Sequence, residues 1–166
     1  MIHSTHGAHS ANTFFHIGVV VTDLADAIEK YSRVLGVTFT KPATFHVPRL
    51  EDPEPHPHDV VAVFSQEGPP YYELLQASGD GVFSAKFANQ ILYLGVWEHD
   101  MVARIAQLKA DGIGLEAQFK DSEGNPFAIV TKPDVLGIRI EYVGDGAKGA
   151  IEEWVKTGEF TGEVAH

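Results

Sequence analysis

The chain has 166 residues, 44% of them apolar and 21% charged, a balance that supports a folded core within one domain of ordinary size. Its formal charge of -11, from 23 acidic against 12 basic residues, repels phosphate backbones and anionic lipid surfaces, so no nucleic-acid or membrane partner is expected. The chain has no cysteine, which excludes disulfide scaffolds, Cys-ligated zinc, iron–sulfur clusters and thiol nucleophiles.

Residues 1–12 are polar, carry His3, His6 and His9, and read as an N-terminal arm. They lack the basic and apolar regions of a signal peptide, so the expected location is cytoplasmic. TFFHIGVVVT (13–22) is crowded with β-branched and aromatic residues and predicts a buried strand. Asp23 caps a helix whose apolar positions are Leu24, Ala27, Ile28, Tyr31 and Leu35, and Gly36 stops it. VTFT (37–40) is expected to begin the next strand. Residues 42–57, with five of the nine prolines plus His46 and His56, read as a long loop. HDVVAVFSQ and PPYYELLQA predict two more strands, and residues 78–89 a connector.

The pattern then restarts. QILYLGVWE predicts a strand, Asp100 a cap, and MVARIAQLKADG a helix with Met101, Ile105 and Leu108 inward. GLEAQFK, NPFAIVTK and LGIRIEYV predict three strands, and residues 144–166 a C-terminal helix and tail that pack Ile151, Trp154 and Val155. FHIGVVVTDLADAI lies over LYLGVWEHDMVARI, 77 positions later, without a gap. Tyr72-Glu73-Leu74 lies over Ile140-Glu141-Tyr142 at an offset of 68, which fits an insertion in the first copy. Internal duplication is the economical explanation. The expected fold is α+β: two βαβββ modules, 13–77 and 90–143, forming an open, cup-shaped mixed sheet.

Side chains alternate along strands. If Phe15, Ile17, Val19 and Val21 face the helix, then His16, Gly18 and Val20 face away. Likewise Leu92, Leu94 and Val96 leave Tyr93, Gly95 and Trp97 on the opposite face, joined by Glu73, Arg139 and Glu141. His16, Glu73 and Glu141 are thus expected in one cavity. Glycine two residues after His16 and after Tyr93 is expected to give a ligand room.

These motifs resemble the vicinal oxygen chelate superfamily, particularly its glyoxalase I and methylmalonyl-CoA epimerase-like branch (the glyoxalase/bleomycin resistance protein family). The resemblance covers roughly residues 13–143. It rests on His16-Ile17-Gly18 with Asp23-Leu24, on Tyr31…Leu35-Gly36, on Tyr72-Glu73-Leu74-Leu75, and on Pro126-Phe127-Ala128-Ile129 leading to Gly137-Ile138-Arg139-Ile140-Glu141. It implies a divalent metal, such as Zn, Ni, Co, Mn, Mg or Fe, bound by one residue from the first and fourth strand of each module. Those positions are His16, Glu73, Tyr93 and Glu141. Tyr93 departs from the family's usual His, and a cavity-wall role suits it better than a phenolate ligand. His99 lies about 20 Å along the strand from Tyr93, too far to share an ion. His46, His56 and His58 could fold over the cup from their loop.

One imidazole and two carboxylates suit several divalent ions. The implied chemistry is proton transfer beside a carbonyl of a small, partly apolar oxygenated substrate, with Glu73 and Glu141 as catalytic groups in a glyoxalase-like isomerase, epimerase or lyase. Tyr71, Tyr93, Trp97 and Arg139 are the expected substrate contacts, with Phe83 and Phe87 able to close over the site. A metal-free, antibiotic-sequestering type of binding protein is the alternative, and an extradiol-type dioxygenase the second. A homodimer is expected.

Overall fold

The computed structural model describes residues 13–162, so the N-terminal arm with His3, His6 and His9 lies outside the described residues. Eight strands and three α-helices run in the order β1 (Phe14–Val21), α1 (Leu24–Leu35), β2 (Ala43–Glu51), β3 (Pro55–Phe64), β4 (Tyr71–Gln76), β5 (Ile91–Glu98), α2 (Met101–Ala110), β6 (Leu115–Lys120), β7 (Pro126–Thr131), β8 (Ile140–Gly144) and α3 (Lys148–Thr157). The fold is mixed α+β. The strands form one sheet curved on itself in the order β1-β4-β3-β2-β6-β7-β8-β5. None of these helices is long and apolar enough to cross a membrane.

Local chemistry explains the helices. The Asp23 carboxylate accepts the Asp26 amide at 3.0 Å to start α1, and Gly36, at φ 69°, ends it in the left-handed region that favours glycine. Asp100 caps α2 in the same way through the Ala103 amide, also at 3.0 Å. Leu24 and Ala27 of α1 bury against Val19, Val21, Val63 and Leu74 on the outer face of the sheet. Met101 and Leu108 of α2 pack on Ile129. A larger cluster of buried apolar residues includes Val20, Leu50, Leu75, Phe119 and Val130, with Trp154 and Val155 of α3. α3 closes one flank: Trp154 packs its ring on Phe45, Phe64 and Phe160, and its Nε1 donates to the Lys41 carbonyl at 3.2 Å.

Four expectations are corrected. The sheet is closed rather than an open cup, because β2 extends far enough for Arg49–Glu51 to pair with Lys120–Gln118 of β6. The segment 42–57 is not a long loop but most of the β2–β3 hairpin. Its prolines fit because Pro48 and Pro57 fall where the register shifts, between Val47 and Leu50, and Pro55 begins β3. Bulges and strand ends are where a sheet tolerates a missing N–H. VTFT forms no strand; only a single bridge joins Phe39 to Ser65.

The last correction concerns side-chain parity. Register shifts between Phe14 and His16, and between Gly18 and Val19 against Tyr93 and Ile91, break the alternation in β1 and β5. Phe15 and Leu92 therefore turn inward with His16 and Tyr93 rather than facing the helices.

Candidate active site and metal centre

β1 and β5 are antiparallel neighbours, with β4 flanking β1 and β8 flanking β5. Their register sets up two crossed rows. In one, His16 lies opposite Gly95, and Gly95 lies beside Glu141. In the other, Tyr93 lies opposite Gly18, and Gly18 lies beside Glu73. Each ring reaches over a glycine to the carboxylate on the next strand. The His16 Nε2 sits 2.9 Å from Glu141 Oε1, and the Tyr93 hydroxyl donates to Glu73 Oε1 at 2.6 Å.

The glycines are required by this crossing. A Cβ on Gly95 would fall 1.8 Å from the His16 ring, and one on Gly18 would fall 2.1 Å from the Tyr93 ring. Their role differs from the expectation: they make room for a side chain of the opposite strand, not for a ligand.

The two rows meet at a point. His16 Nε2 is also 3.5 Å from Glu73 Oε1, and His16, Glu73 and Glu141 each offer a ligand atom within 4.8 Å of the others. All three residues are buried. Burial pushes the Glu73 carboxyl up to about 7; His16 and the Tyr93 hydroxyl oppose the shift, while the negative charge of Glu141 adds to it. Burial pushes Glu141 up to about 8, against the Tyr93 hydrogen bond. Burial lowers His16, only partly offset by Glu73, and so favours the neutral imidazole. Tyr93 is held well above its ordinary value by burial and by both carboxylates, so it stays a hydrogen-bond donor.

This donor set fits a divalent cation. Two carboxylates that resist ionisation when buried would be relieved by a positive ion, and a neutral imidazole supplies a nitrogen lone pair. The His16 Nδ1 is buried without a hydrogen-bond partner. The ring is therefore oriented by packing against Phe15, Phe64 and Tyr93, with centroids 4.2, 5.5 and 5.5 Å away.

The three groups open onto a cavity of about 300 Å³. Its walls are mostly hydrocarbon, including Phe45, Phe64, Phe83, Phe119 and Phe127, with Ile151 from α3. Of the expected substrate contacts, only Tyr93 lines it. Trp97 stacks behind Phe15 at 3.7 Å, Tyr71 packs on the far side of Phe64, and the Arg139 side chain turns to Glu116 at 3.1 Å and to the Phe87 ring. Phe83 forms a wall, while Phe87 does not. Among the histidines of the hairpin, His46 reaches the rim, paired with Asp59 at 2.7 Å. His56 is tied to Asp52, His58 to Ser78, and His99 to Asp145. The lining Phe45 was missed because its segment reads as loop; its alternation with Val47 was the available signal.

A family profile described as the Glyoxalase/Bleomycin resistance protein/Dioxygenase superfamily matches residues 15–129. No curated protein matches the chain. Among solved structures, a hypothetical protein of Bacillus halodurans is 20% identical, with 79% of this chain and 92% of that one covered and a TM-score of 0.57. The methylmalonyl-CoA epimerase of Mycobacterium tuberculosis is 21% identical over 84% of this chain and 91% of its own, at a TM-score of 0.56. A methylmalonyl-CoA epimerase in complex with methylmalonyl-CoA and NH4+ is 18% identical over 80% and 93%, at 0.53. At such identities the structural likeness speaks for the fold, and the profile match speaks for the lineage: the chain belongs to the glyoxalase/bleomycin resistance protein/dioxygenase superfamily.

Proposed function

We propose that the protein is a metal-dependent isomerase or epimerase of the glyoxalase-like type, moving a proton next to a carbonyl of a small, partly apolar substrate. The observation that carries this reading is the meeting of His16, Glu73 and Glu141 at one buried point on the cavity floor. His16 Nε2 and the two carboxylates would hold the ion. A divalent cation bound there would polarise a carbonyl oxygen and stabilise negative charge developing on it.

The remaining chemistry falls to the chain itself. Glu141, nearest the imidazole, is suited to serve as a ligand. Glu73 stands farther from His16 and carries the Tyr93 hydroxyl on Oε1, which suits it to take and return a proton. Tyr93 keeps that carboxylate aimed, and the phenylalanine walls exclude water.

Tyr93 at the second imidazole position argues against an extradiol-type dioxygenase. A second reading, a metal-free sequestering protein, is favoured by the phenol–carboxyl hydrogen bond and by carboxyls that burial makes harder to ionise. The reading also takes the chain as two βαβββ modules, 13–77 and 90–143, and the protein as a cytoplasmic homodimer acting on a small molecule.

Metal analysis of purified protein, combined with solvent deuterium exchange into an enolisable ketone, tests the proposal. Stoichiometric divalent metal that disappears in Glu73→Gln and Glu141→Gln, together with metal-dependent exchange, is expected. Protein that takes up no metal yet still binds an apolar ligand would establish the sequestering reading instead.

A further inference from the structure

We infer that the cavity takes an uncharged, ring-bearing carbonyl compound and rejects carboxylates and acyl-CoA esters, a specificity that rests on the metal-dependent reading above. The charge of the site leads to it. A divalent cation, two carboxylates and a neutral imidazole sum to zero within the buried centre. An anionic substrate would leave a negative charge uncompensated in an apolar pocket, which is costly unless a Lys or Arg answers it.

No Lys or Arg is among the described residues that line the cavity. The basic side chains on adjoining segments are engaged elsewhere. Lys41 pairs with Glu159, Arg49 and Lys120 with Glu51, Arg139 with Glu116, and Lys148, next to the lining Ala147, with Glu152 at 3.9 Å. Beside the lining residues His46, Gly144 and Gly146, the exposed surface offers Asp59 and Asp145. A nucleotide diphosphate lying across that surface would meet carboxylates, on a protein whose formal charge is already -11.

The walls state what is accepted instead. Phe15, Phe45, Phe64, Phe83, Phe119 and Phe127 present ring faces and edges, with Glu73, Glu141, His16 and the Tyr93 hydroxyl as the polar groups at the floor. Apolar walls with a few convergent polar groups select a ligand that is mostly hydrocarbon with a polar end. At about 300 Å³ the space lies at the small end of ligand pockets, which run from about 300 to 1,000 Å³. One or two fused rings bearing a carbonyl match it.

The probes are 2-tetralone, a neutral bicyclic ketone with exchangeable α-protons; 2-naphthylacetate, a related bicycle carrying a carboxylate; and propionyl-CoA. Binding of each is measured by calorimetry on metal-free and zinc-loaded protein. The ketone is expected to bind at least about tenfold more tightly than the carboxylate in both forms, with no heat from the thioester. His46→Arg, at the exposed rim, is expected to narrow that gap several-fold by adding a cation. A ketone that binds no better than the carboxylate or the thioester overturns the proposal. Tight ketone binding without deuterium exchange leaves the specificity standing and removes the proposed reaction; exchange with a carboxylate preferred does the reverse.

Discussion

The two rows that cross at the site are built alike and behave differently. In both, an aromatic ring spans a glycine on the neighbouring antiparallel strand to reach a carboxylate two strands away. The row from His16 to Glu141 ends in a nitrogen that can share a cation. The row from Tyr93 to Glu73 ends in a hydroxyl that donates its proton and keeps it. One backbone construction thus supplies an imidazole–carboxyl contact on one side and a phenol–carboxyl hydrogen bond on the other. A single side-chain difference, imidazole against phenol, separates a ring that offers a lone pair from one that offers a proton.

The largest expected effect removes one row's function. Glu141→Gln should lower metal affinity by at least about 100-fold, more than loss of an outer partner would, without lowering the melting temperature of metal-free protein. Titration with a divalent ion followed by metal analysis checks it; full retention of metal would sink the ligand assignment. Next come the glycines. Gly95→Ala and Gly18→Ala should each destabilise the protein by about 3 kcal/mol through overpacking. Only the first displaces the imidazole, so metal affinity should fall much further in Gly95→Ala than in Gly18→Ala. Equal losses would mean that the imidazole contributes no more to holding the ion than the phenol does.

A smaller effect is expected from Tyr93. Tyr93→Phe removes the hydrogen bond that lowers Glu73, so the acid limb of the rate profile should move to higher pH. Tyr93→His should instead strengthen metal binding about tenfold by adding a nitrogen ligand. An unchanged rate profile in Tyr93→Phe would remove the tuning role.

The mildest perturbation is pH itself. The folded values of Glu73 and Glu141, about 7 and about 8, lie above the ordinary 4.5, so the folded chain keeps protons that the unfolded chain has released. Stability of metal-free protein therefore falls as pH rises through that window. His16 works in the opposite sense, losing stability only as pH drops below its ordinary 6.5. Above pH 6.5 and up to about 8 the carboxyls act unopposed by His16 and in the same sense as His56 and His99, which Asp52 and Asp145 raise, so the melting temperature should decline steadily. Saturating divalent ion should flatten the decline, and a flat curve without metal would contradict the buried, protonated pair.

Much of this was legible in the sequence. Asp23, Gly36 and Asp100 announced the helix ends, and strand alternation placed Glu73 and Glu141 on the inner face with His16. Alternation failed where the chain departs from it. Each bulge in β1 and β5 turns one extra residue inward, and no local pattern marks Phe15 or Leu92 for that. Pro48 and Pro57 hid a hairpin, because a proline at a register shift looks like a proline in a loop. The orientation of Arg139 depended on Glu116, 23 positions away, a pairing that sequence spacing does not encode.

The helix α3 has its own consequence. It meets the barrel by ring packing of Trp154, a bond from Gln66 to the Val155 carbonyl and a backbone pair between Lys41 and Gly158, with no strand register at stake. Ala147 and Ile151 nevertheless face the ligand space. The helix is thus a stopper set against the barrel rather than woven into it. Ala147 and Ile151 can be redesigned to reshape what fits inside while His16, Glu73 and Glu141, on other elements, stay untouched.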